Sequence, residues 1–245
     1  MRPRPRRLSL CLVWTALALL ASACASAPPP YRAHRDLPAR LPGIVRVGLV
    51  APDIRLHQVS AGGVRELRDD WNEAARREVT GALRERLQGA LVELVPLEPA
   101  PELTAELDDV RVLYRAVGGS IVQHTYLEPF PHKRERFEYS VGPLEPLLER
   151  HRLDALLFVH GSGEFATAGR SAVGILGAVV LGAATGVVVV PPSRASVLTA
   201  ALVDRSGTVL WFNATGGPHA GDPRTAAGAR ALVRRLLDGL PGWGR

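Results

Sequence analysis

The sequence predicts an α/β (or α+β) domain, a mixed sheet of about five strands packed with three to four helices. Three observations carry that expectation. Short apolar runs bounded by Gly, Pro and Asp alternate with longer stretches whose apolar residues recur at three- and four-residue steps. The run Asp154-Ala-Leu-Leu-Phe-Val-His160 is short, continuous and apolar, as a strand buried on both faces would be. Hydrophobic residues make up 47% of the 245-residue chain, enough for a core and too many for general disorder.

Ile44 to Val50 reads as the first strand, ended by Ala51-Pro52-Asp53, with a polar loop through Gly62-Gly63. Trp71, Ala75, Val79, Ala82, Leu83, Leu87 and Leu91 fall on one face of a helix over 68–90. Val92 to Leu97 makes a second strand, stopped by Pro96 and Pro99. A second helical stretch lies within 102–127, interrupted by Gly118-Gly119. Residues 128–141 read as an exposed loop, and Leu144 to Arg152 as a short helix opened by Pro143. Ala195 to Val203 alternates into a strand, Asp204-Arg205-Ser206-Gly207 turns, and Thr208 to Ala214 returns beside it. Asp222 as N-cap and Pro223 in the first turn open a last helix with Ala227, Leu232, Leu236 and Leu237 on one side.

The N-terminus carries a different message. Residues 1–7 hold Arg2, Arg4, Arg6 and Arg7, residues 8–20 are apolar, and Ala21-Ser22-Ala23-Cys24 follows. The apolar run is too short to span a bilayer comfortably. This order resembles the signal peptide and lipobox of bacterial lipoproteins, with Ala21 where Leu is most usual. The resemblance implies cleavage before Cys24, which would carry a thioether-linked diacylglycerol and an acylated (palmitate-type) amine. Plain secretion, leaving Cys24 as a free thiol, is the alternative. Ala25, where an inner-membrane retention signal would have Asp, implies the outer membrane of a Gram-negative cell, facing the periplasm. The expected organisation is a signal peptide over 1–23, a lipidated Ala/Pro/Arg-rich tether over 24–43, and one α/β domain over 44–245.

Composition narrows the partners. Four of the six net positive charges lie in the first seven residues, and the rest of the chain interleaves Arg with Glu, as in Arg84-Glu85-Arg86. That is a solvated face, and no nucleic-acid partner is expected. Cys11 and Cys24 are the only cysteines, so the domain has neither disulfides nor cysteine metal sites.

Two segments also resemble envelope lipoproteins whose domain is like the TolB N-terminal and curli-secretion lipoprotein domains. They are the strand Leu153–Leu157 after a helix, and the hairpin Ala201-Leu-Val-Asp-Arg-Ser-Gly-Thr-Val-Leu-Trp211. Both motifs are structural, so the resemblance implies no active site.

Ala172 to Val190 is a run of 19 uncharged residues, and Ala178, Gly182 and Gly186 repeat every fourth position, as in close helix–helix packing. The segment is expected either to meet membrane or another subunit, or to be buried as a hairpin or helix, since Val187–Val190 favours strand. It lacks the alternation a pore hairpin needs.

Candidate chemistry is sparse. His160-Gly161-Ser162-Gly163-Glu164 reads as a loop after a buried strand, where Ser162 could act as nucleophile with His160 and Glu164. The nucleophile elbow Gly-x-Ser-x-Gly is absent, because glycines flank the serine directly. Gly161-x-Gly163 only begins a dinucleotide fingerprint. The histidines at 34, 57, 124, 132, 151, 160 and 219 show no paired ligand spacing, so no metal and no cofactor is expected. The favoured expectation is a membrane-anchored envelope lipoprotein with a non-catalytic binding or assembly role and an unidentified protein partner. A hydrolase using residues 160–164 is the alternative.

Overall fold

The structure, a computed structural model, describes residues 30–97, 101–174, 176, 193–218 and 220–243. In chain order the elements are β1 (Arg32–Ala33), α1 (Leu37–Arg40), β2 (Arg46–Val50), β3 (Asp53–Val59), β4 (Arg65–Leu67), α2 (Asp69–Leu87), β5 (Glu93–Leu97), α3 (Pro101–Val122), α4 (Pro131–Glu135), α5 (Glu145–His151), β6 (Ala155–Ala166), β7 (Arg194–Asp204), β8 (Val209–Gly217) and α6 (Ala226–Leu236). A 3-10 turn, Leu41–Gly43, follows α1, and a π-helical turn, Gln123–Leu127, continues α3.

The expected mixed α/β architecture is present, with more strands than foreseen. Eight strands form one sheet along the path β1-β8-β7-β6-β2-β5, with β3 also beside β6 and β4 beside β3. β6 is the axis. β2 runs parallel to its first part, from Val47↔Ala155 to Leu49↔Leu157, and β3 parallel to its second, from Asp53↔His160 to Val59↔Ala166. Pro52, which has no N–H to give a ladder, lies in the break between β2 and β3. On its other side β6 pairs antiparallel with β7, which forms a hairpin with β8.

Helices cover both faces. Val79, Leu83 and Leu87 of α2 and Leu232, Val233 and Leu236 of α6 pack with Leu49, Leu56, Leu157 and Trp211 in one cluster. On the opposite face, Leu107, Tyr114 and Ile121 of α3 and Leu147 and Leu148 of α5 pack on Leu156, Phe158, Val203 and Phe212. Each such side chain, fully buried, contributes about 1.5–3 kcal/mol of hydrophobic stabilisation.

Several elements depart from the sequence reading. Residues 31–43, read as tether, hold β1 and α1, and Leu37 is buried in the first cluster. The polar stretch after Pro52 is strand β3, because Ile54, Leu56 and Val59 are buried between exposed or half-exposed polar neighbours. Gly118-Gly119 does not interrupt α3. Each helix-interior glycine costs up to about 1 kcal/mol, and burial of Tyr114 and Ile121 on either side offsets it. Pro96 belongs to β5, an edge strand, where its missing N–H removes no inner ladder bond. Residues 131–135 are helical, and Ser140 bridges to Thr208. The last helix is capped by Thr225, whose hydroxyl accepts from the Gly228 N–H, while Asp222 pairs with Arg224.

Cys24, Ala178, Gly182 and Gly186 lie outside the described residues, as does most of 172–190. Among the described residues no helix is long and apolar enough to cross a membrane.

Candidate functional site

The residues 160–164, read as a loop, are the second half of β6. Their glycines do not make a turn. Gly161 and Gly163 face the α2 side, where a Cβ on Gly163 would stand 3.0 Å from the Ala195 carbonyl oxygen and from Leu56. The strand therefore keeps its alternation, and His160, Ser162 and Glu164 share the other face with Leu156 and Phe158.

That face passes from covered to open at His160. Phe158 lies under α3, its ring stacked on Tyr114 at 4.5 Å between centroids. Ser162 and Glu164 are exposed. At the boundary is a cavity of about 370 Å³, lined by Tyr114 and Arg115 of α3, Gln123 of the π-helical turn, His160 and Ser162 of β6 and Thr199 of β7. Gly118 and Gly119 also line it, and no atom lies within 4 Å of where a Gly119 Cβ would stand. The glycine pair opens space beside the sheet.

Asp53, the first residue of β3, organises the polar groups. Its Oδ2 accepts from Arg115 Nε at 3.1 Å and Nη2 at 2.7 Å, and His160 Nδ1 stands 3.5 Å from the same oxygen. Arg55 Nε donates to the other oxygen at 3.4 Å. His160 beside it, and then Arg115, hold the Asp53 carboxyl well below the usual carboxylate range, against the opposing effect of partial burial. One carboxylate thus faces two guanidiniums and an imidazole, which leaves the site positive.

The cavity also presents hydroxyl groups. The Tyr114 hydroxyl is buried with the Thr199 hydroxyl as its polar neighbour, and burial raises its pKa against that contact. The Thr199 hydroxyl donates to the His160 carbonyl at 3.4 Å. The exposed Ser162 hydroxyl makes no hydrogen bond to a described residue and faces the open side of the cavity.

His160 and Ser162 therefore share a cavity, but on one strand face they are about 7 Å apart, too far for a direct hydrogen bond. Glu164 does not join them: it pairs with Arg65 at 2.5 Å. The acid beside His160 is Asp53, which the sequence reading placed in a turn. Tyr114 and Arg115 were missed as well. The Arg115–Asp53 contact spans 62 positions and leaves no local pattern. Among the described residues no group of three or more His, Cys, Asp or Glu is placed to hold a metal ion. No protein-family model matches this chain, and no curated protein or solved structure does either.

Proposed function

We propose that the chain is a lipid-anchored, periplasm-facing envelope protein whose domain binds a small anionic ligand without transforming it. The observation that supports the binding role is the cavity beside Asp53. Arg115 and His160 converge there, Arg55 adds a second guanidinium against the single Asp53 carboxylate, and the Tyr114 and Ser162 hydroxyls line the space. The lipobox ending in Cys24 supports the anchor. Two acyl chains or more would make attachment durable, at about 0.8 kcal/mol per buried CH₂.

The test is titration of the domain with inorganic phosphate and a panel of short mono- and dicarboxylates, followed by NMR shifts of the His160 ring. Gly119→Leu should fill the cavity without disturbing the helix, since that position is exposed and open. Saturable shifts in the native chain that vanish in Gly119→Leu support the reading. No shift with any anion sinks it. The anchor is tested separately by the mass of the mature N-terminus, which should carry diacylglycerol on Cys24.

Hydrolysis is a second reading, favoured by His160 and Ser162 lining one cavity with Asp53 behind the imidazole. It requires Ser162 to be labelled by a fluorophosphonate and labelling to be lost in His160→Ala.

A further inference from the structure

The opposite side of the sheet carries a second, larger concavity that the cavity reading does not use. Where α2 ends, two hollows of about 600 and 500 Å³ meet at Leu91, Gly242 and Trp243. One is apolar, lined by Leu37, Pro38, Leu41, Pro42 and Val45 with Pro241. The other is lined by Arg86, Arg230 and Arg234, with Glu85 as its acid. Leu91 is 85% exposed and Val45 52% exposed. Arg230 and Glu85 approach to 3.9 Å, both largely exposed, so the pair is weak. Arg234 makes no ion pair with a described residue.

We infer that this groove docks on an anionic phospholipid surface, with Leu91 and Val45 entering the headgroup region and the arginines meeting lipid phosphates. Three features point to that occupant. Apolar side chains left exposed at a loop and rimmed by arginines match an interfacial surface. Arg230 and Arg234 against the single Glu85 carboxylate match anionic lipid. The third is position. The Tyr31 ring lies where a Cβ on Gly239 would stand, so the start of the described chain packs beside the 239–243 segment that borders the groove. Cys24 is six residues before Pro30, a span of at most about 22 Å. An acylated Cys24 would therefore hold this corner of the domain near the bilayer. That last argument rests on the lipid-anchor reading, while the groove itself does not.

The experiment uses the mature chain, residues 24–245, with Cys24→Ser so that no acyl group contributes. It is floated with vesicles of phosphatidylcholine alone and of phosphatidylcholine with one-third phosphatidylglycerol. The expected result is flotation with the anionic vesicles only, weakening as salt rises. Arg230→Glu with Arg234→Glu, and separately Leu91→Asp, should each reduce vesicle affinity at least about tenfold with the thermal melt unchanged, since all three positions are exposed. No flotation with either vesicle, or variants that float like the parent, overturns the inference. So does retention of monomeric lysophosphatidylglycerol without vesicle binding, which would make the groove a lipid-carrying pocket. A dimer abolished by Leu91→Asp, with no flotation, would make it a contact between copies. Failure of Cys24 acylation in cells would remove the anchor while leaving this result standing.

Discussion

The two halves of β6 share one sheet and opposite fates. From Ala155 to Val159 every side chain is buried, whichever face it takes. From His160 onward only Gly161, Gly163 and Phe165 are, and His160, Ser162 and Glu164 are not. The neighbours explain the change. Phe158 is stacked under Tyr114, whereas the next turn of α3 carries Gly118 and Gly119 and leaves the cavity beside His160. The difference teaches that helical cover, more than the strand's own sequence, decides which residues of a central strand reach a ligand.

The comparison breaks most visibly at Phe158. Phe158→Ala should cost about 3–5 kcal/mol in urea unfolding, while Ser162→Ala, on the open half, should stay within about 0.5 kcal/mol. Similar losses at both positions would mean the second half is covered after all. Asp53→Asn should cost about 1–3 kcal/mol, as loss of charge-assisted hydrogen bonds does. Its pH dependence has a definite sign. The folded-state pKa of Asp53 is depressed, so its stabilisation is present above the ordinary carboxylate range and is lost as pH falls through and below that range. Melting temperatures followed from neutral to acidic pH should fall more steeply in the parent than in Asp53→Asn. Smaller effects than at Phe158 and Asp53 are expected at glycines. Gly163→Ala should lose about 1 kcal/mol, because the Ala195 carbonyl oxygen is backbone and gives way poorly. Gly119→Ala should gain about 0.5–1 kcal/mol, since its added methyl meets nothing.

Much of the fold was legible because periodicity reports burial directly. The α2 face from Ala75 to Leu87 and the Asp204–Gly207 hairpin turn are local signals, and both are present. Strand β3 was not legible, since Arg55, His57 and Gln58 look like a loop until Ile54, Leu56 and Val59 are seen buried between them. The glycines of β6 misled for a related reason. In sequence a glycine next to a serine suggests a turn, but at 161 and 163 it marks close packing against Ile54, Leu198 and Ala195. The site was half legible. His160 and Ser162 stood out, whereas their partners came from β3 and α3, across separations no local pattern records.

The central place of β6 also sets an order of assembly. Its partners β2 and β3 precede it by roughly a hundred positions, whereas β7 and β8 close a tight hairpin by themselves. A chain made from its N-terminus thus completes β2, β3 and α2 well before their shared partner exists. Non-local pairing of this kind slows folding and leaves strand edges open in the interim. The nascent chain is accordingly at its most aggregation-prone from the emergence of β2 until β6 arrives, and a chaperone that holds unpaired strands would act in that interval.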